Sequence, residues 1–152
     1  RVVDPVHSHA PALASEASAE LWGAMGDQFP QLVQVFLGDA PGHLAKLEAA
    51  AVIGDIAAMA APAHALKSSS ANLGAMEVSA IAKRIEHGAR DRTLADAIGV
   101  VATLSREFHR AESELRTLLY SRWCVSDSAS ADFARWPLIP LELYGLFPPV
   151  DC

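Results

Sequence analysis

Apolar side chains recur every three or four positions along two long stretches of this chain, and that spacing dictates amphipathic helix. Phe29, Val33, Phe36, Ala40, Leu44, Leu47 and Ala51 make one stripe. Leu94, Val101, Leu104, Phe108, Ala111, Leu115 and Leu118 make another, sustained for about 25 residues. Hydrophobic residues form 51% of the chain, and many are alanine. Alanine enters a helix at little entropic cost, so its abundance points to closely packed helices rather than to a sheet.

Glycine, proline and capping residues divide the rest. Ser15 to Met25 reads as a short first helix ended near Gly26, and Phe29-Pro30 opens the second. Pro41 and Gly42 leave room for a kink or short break inside it. Gly54 is placed to end that helix and Asp55 to cap a third, which runs to Leu73 and stops at Gly74. A fourth covers Met76 to Arg90 with Val78, Ile81, Ala82, Ile85 and Ala89 inward, and Thr93 is the expected cap of the fifth. Short connections make neighbouring helices antiparallel. The expected fold is all-α: an antiparallel four-helix bundle over residues 28–120, with an additional short N-terminal helix closing one end.

Residues 1–14 read as an irregular segment, 15–120 as the helical domain and 121–152 as an extension. In that extension Pro137, Pro140, Pro148 and Pro149 break any long helix. Trp123, Phe133, Trp136, Tyr144 and Phe147 make it too apolar for a standard linker. It either packs on the bundle, meets a partner or is an appended piece.

At 152 residues the chain has room for one main core. A net charge of -6 argues against a general nucleic-acid binder. No apolar run is long enough to span a bilayer, and RVVDPVHSHAPA at the start lacks the pattern of a signal peptide. Cys124 and Cys152 make neither a disulfide framework nor a zinc pattern. Opening on Arg1 rather than Met suggests a piece of a longer protein, with processing as another explanation. The expected location is the cytoplasm, including the cytosolic part of a membrane-bound protein.

The third helix carries the informative face. At 100° per residue, Ala57, Ala60, Ala61, His64, Lys67, Ser68 and Ala71 lie within about 60° of the His64 direction. Met59, Leu66, Ser70 and Leu73 point the other way. His64 therefore stands outward on a low surface of methyl groups and small hydroxyls, which another folded domain can approach closely. A neutral imidazole is a nucleophile through its unprotonated nitrogen. Lys67, one turn on, can offset the charge of a phosphoryl group placed there. His7, His9, His43, His87 and His109 have no comparable surroundings, and no compact acidic cluster near His64 calls for a metal.

The run PAHALKSSSANLGA, together with FPQLVQVFLGDAPGHLAKLEAA before it and IAKRIEHGAR after it, resembles the histidine-containing phosphotransfer, or HPt, domain family over residues 17–120. That resemblance implies a helical bundle in which His64 accepts a phosphoryl group and Lys67 stabilises it. Ala60, Ala61, Ser68 and Ala71 would then form the docking surface, with Asn72 and Gly74 as structural parts of the motif. It implies a relay between aspartates on response-regulator receiver domains, either within one hybrid sensor histidine kinase or between separate proteins. No ATP-dependent kinase activity is implied, nor any bound cofactor, and Mg2+ is expected on the receiver. A monomeric domain is expected.

Two positions depart from the family pattern. Ser68 stands where glycine usually follows the lysine, and Pro62 falls in the middle of the expected helix, predicting a kink or a delayed start. Two other functions fit the same residues: a docking or scaffold module inactive in phosphate transfer, and a structural dimerisation bundle.

Overall fold

The structure is a computed structural model that describes the backbone of residues 15–126 and the side chains of residues 19–119. The segment 1–14 with His7 and His9, and the tail from residue 127, lie outside the described residues. The chain divides into two compact units, Arg1–Arg116 and Thr117–Cys152. The bundle belongs to the first.

Five α-helices and one short 3-10 helix make up the described residues: α1 Ser15–Met25, α2 Gln28–Ile53, the 3-10 turn Ala57–Met59, α3 Ala60–Asn72, α4 Met76–Asp91 and α5 Ala97–Ser126. The fold is an all-α antiparallel four-helix bundle with a short extra N-terminal helix. None of the described helices is long and apolar enough to cross a membrane.

Each expected stripe forms a core face. All seven residues of the α2 stripe are buried, as are Val101, Leu104, Phe108, Ala111 and Leu115 of α5. Phe36 meets Phe108 with ring centroids 5.7 Å apart, tying α2 to α5, and Trp22 meets Phe29 at 5.1 Å, seating α1 on α2. Burying a side chain of this size contributes about 1.5–3 kcal/mol.

The boundaries follow local chemistry. After α2 the amide of Gly54 bonds the Ala51 carbonyl and that of Asp55 the Ala50 carbonyl, with Gly54 at φ 75°. After α3 the amides of Gly74 and Ala75 bond the carbonyls of Ala71 and Ser70, with Gly74 at φ 77°. This paired closure needs a left-handed residue, which glycine adopts without a Cβ clash.

Four expectations are corrected or refined. The third helix does not run unbroken from Asp55: Pro62 has no amide to offer the Ala58 carbonyl, so residues 57–59 wind as a tight 3-10 turn and α3 begins at Ala60. Pro62 then sits in the first turn, where no amide donor is required, and Asp55 Oδ1 accepts from the Ala58 amide at 3.2 Å. Thr93 is not the cap of α5; Asp96 is, its Oδ1 accepting from the Gly99 amide at 3.0 Å. Leu94, counted in the α5 stripe, precedes the helix and lies against Gly88 of α4. Pro41 causes no break, since α2 is continuous through it.

Candidate functional site

The pairing of α3 with α4 builds the site. Ser70 of α3 and Ser79 of α4 are both buried. Ser79 Oγ on α4 donates to the Lys67 carbonyl at 2.9 Å, a bond that fixes α4 beside the residues carrying the chemistry. The serine run after Lys67 is turned back on its own helix. Ser68 Oγ donates to the His64 carbonyl at 3.2 Å and Ser69 Oγ to the Ala65 carbonyl at 2.9 Å. Ser70 Oγ bonds the Leu66 carbonyl.

His64 points out of the bundle with its side chain 55% exposed, while Met59, Leu66, Ser70 and Leu73 on the opposite side are fully buried. Ala61, Ser68 and Ala71 are exposed around it and Ala60 is half-buried, so the ring stands above a low surface. Asn72 is exposed at the end of α3, and Gly74 is buried in the turn that follows.

Glu86 of α4 organises this face and is not among the site residues expected from the sequence. Its side chain is fully buried, and both oxygens are engaged. Oε1 accepts from His64 Nδ1 at 2.7 Å and from the Arg90 guanidinium at 2.7 Å, while Oε2 accepts from the Lys67 ammonium at 2.6 Å. The Lys67 ammonium does most to lower the Glu86 pKa from its ordinary 4.5 to about 2; burial opposes it, and His64 and Arg90 add to the lowering.

That charge state decides the tautomer. An ionised carboxylate can only accept, so the hydrogen in the His64–Glu86 bond belongs to Nδ1. The neutral ring then carries its lone pair on Nε2, and an anchored Nδ1 fixes the ring's orientation. A carboxylate below, a lysine beside and an outward imidazole nitrogen together make an oriented nucleophile flanked by cations.

A signal for Glu86 was present in the sequence. It lies four residues after Ala82 and eight after Val78, on the apolar face of α4, where a carboxylate needs partners from a facing helix. Arg90 follows one turn later, in reach of the same carboxylate.

Residues 31–118 match the model of the Hpt domain family, more than half the chain. The chain belongs to the Hpt domain family. It is also similar to the crystal structure of histidine-containing phosphotransfer protein B (HptB) from Pseudomonas aeruginosa PAO1. The two share 31% identity with a TM-score of 0.65, over 71% of this chain and 94% of that one. No curated protein sequence matches it. As an Hpt domain the chain has a histidine phosphotransfer role in a phosphorelay, and domains of this family interact with response-regulator receiver domains.

Proposed function

We propose that this Hpt domain relays a phosphoryl group between receiver-domain aspartates through Nε2 of His64. One observation carries the reading: the bond from His64 Nδ1 to the ionised Glu86, which leaves Nε2 as the nucleophile on the exposed side.

In the forward step the Nε2 lone pair attacks phosphorus in a receiver's aspartyl phosphate. The N–P bond forms as the P–O bond to the aspartate breaks, and its electron pair leaves with the carboxylate. The imidazole gains positive character, and the Nδ1 proton stays on the ring, held by the Glu86 charge. The return step to a second receiver reverses the sequence. Lys67 and Arg90, already held beside the ring by Glu86, offset the phosphoryl oxygens. Ala60, Ala61, Ser68 and Ala71 give the receiver a low surface on which to align its aspartate in line with Nε2. Asn72 and Gly74 act structurally, closing α3 behind the site.

The relay unit is a monomer over residues 15–120 that binds no cofactor of its own; Mg2+ comes with the receiver. It is not an ATP-dependent kinase, it works in the cytosol, and its cognate receivers are encoded alone or within a hybrid kinase. Ser68 gives the transfer-inactive docking reading little support, because its hydroxyl is directed to the His64 carbonyl.

The test mixes the chain with a panel of radiolabelled phosphoreceivers and then adds unlabelled receivers. Label passing to the chain and onward to a second receiver supports the relay. Binding of receivers with no label transfer would replace it with the docking reading.

A further inference from the structure

Beside the site, the α4 segment carries a run of cations of which Arg90 alone is paired among the described residues, with Glu86. Four of the chain's twelve Lys and Arg residues fall within residues 83–92, in a chain whose net charge is -6. Two arginines of α5 are paired along their own helix: Arg110 bonds Glu107 at 2.7 Å and Arg116 bonds Glu112 at 2.8 Å. Lys83, Arg84 and Arg92 are exposed and enter no ion pair among the described residues. Of the two carboxylates in that stretch, Glu86 is buried and already occupied, leaving Asp91.

Their placement is directional. Measured around α4 from Glu86, Arg90, Lys83 and His87 lie at about 40°, 60° and 100°, and Arg84 at about 160°. The apolar stripe lies on the opposite side of Glu86. The cations therefore begin at the edge of the α3–α4 seam where the His64 ring stands and run outward along the open side of α4. There Lys83, Arg84 and His87 line a shallow cleft of about 390 Å³ together with Gly88, Thr93 and Leu94, with Asp91 as its one carboxylate.

We infer that this basic strip, Lys83–Arg84–His87 continuing from Arg90, is the electrostatic half of the receiver-docking surface and takes an acidic rim around the receiver's aspartate pocket. The inference rests on the relay reading above. A domain that brings its aspartate to His64 Nε2 must come down on the open side of the seam, against the strip. Mg2+ takes oxygen ligands, carboxylates and phosphate among them, so a pocket that presents an aspartyl phosphate beside Mg2+ gathers anionic groups that a basic strip complements. Exposed rim charges of this kind act mainly on the rate of encounter and its salt dependence. The strip thus divides the labour: Ala60, Ala61 and Ala71 allow close approach, and the α4 cations draw the partner in.

The experiment uses the full chain and the receiver domain that transfers fastest to it from a panel charged with acetyl phosphate. Lys83→Glu/Arg84→Glu should lower the second-order transfer rate about tenfold at low salt and flatten its salt dependence. The rate at saturating receiver should stay at the wild-type value, as should labelling of His64 by phosphoramidate, a donor too small to touch the strip. Lys83→Gln/Arg84→Gln adds no charge and should fall between, so a folding fault in the Glu pair does not decide the matter. An unchanged second-order rate and salt slope in both pairs would overturn the inference while leaving the relay intact. A change in the sedimenting mass of the free chain would also overturn it, by making a second copy the occupant. Failure of the wild type to take phosphate from phosphoramidate or any receiver would overturn the relay reading, and the strip's partner with it.

Discussion

Replacing Glu86 with Gln isolates the one buried charge on which the site is built. The fall from 4.5 to about 2 sets an upper limit of about 3.4 kcal/mol on what the ionised form contributes to folding. Much of that is screened. Arg90 and His64 are 58% and 55% exposed and Lys67 is 28% exposed, so water competes for the cations that cover the carboxylate. A loss of about 1–2 kcal/mol at pH 7 is expected, or roughly 4–10 °C in Tm for a domain of this size. The pH dependence gives the sharper signature. Above pH 4.5 Glu86 is ionised in both folded and unfolded chains and its contribution is fully present. As pH falls the unfolded chain binds the proton first and the folded chain follows near pH 2, so the contribution is lost across that window. The stability gap between wild type and Glu86→Gln, measured by urea unfolding, should be constant from pH 7 to 5 and close between pH 4.5 and 2. Phosphorylation should slow about 10–100-fold, because the amide cannot accept from both His64 and Lys67, and an NH2 facing Nδ1 draws the ring into the wrong tautomer. A gap that persists unchanged to pH 2.5, or none at pH 7, would refute the assignment of these effects to the carboxylate charge.

Lys67→Ala should slow receiver-to-chain transfer about 10–100-fold without abolishing it, since Arg90 and the nucleophile remain; stopped-flow or quench-flow transfer measures this. Phe108→Ala removes a fully buried ring that packs on Phe36 and should cost about 3–5 kcal/mol in denaturant unfolding while leaving the residual folded fraction able to accept phosphate. A chain ending at Tyr120 should remain helical by circular dichroism and still take up phosphate; loss of folding would place the aromatic tail in the core.

The bundle was readable because its causes are local. The α2 stripe is strict enough that the burial of all seven residues follows from spacing alone, and the α5 stripe holds for five of its seven. Gly26, Gly54 and Gly74 mark helix ends through positive φ values that residues with a Cβ seldom adopt. The outward direction of His64 followed from the same geometry, with Leu66 and Ser70 fixing the inner side. What escaped depends on pairing between helices. Thr93 and Asp96 are both good caps, and which one closes α5 is decided by Leu94 folding onto Gly88. Glu86 lies 22 residues from His64, and only the contact of α3 with α4 turns an unexpected carboxylate on an apolar face into the group that orients the ring. The Pro62 departure proved legible in kind, a delayed start, although its 3-10 turn at 57–59 was not foreseen.

The central claim is that Glu86 holds Nδ1 and leaves Nε2 of His64 to carry the phosphoryl group. The direct measurement is NMR of the chain labelled with 15N in its histidine rings and phosphorylated with phosphoramidate, read for the N–P coupling. The account predicts one phosphohistidine, at His64 and bonded through Nε2, which disappears in His64→Gln while circular dichroism and thermal unfolding show the bundle retained. Phosphate on Nδ1, on another histidine, or undiminished in His64→Gln would contradict it.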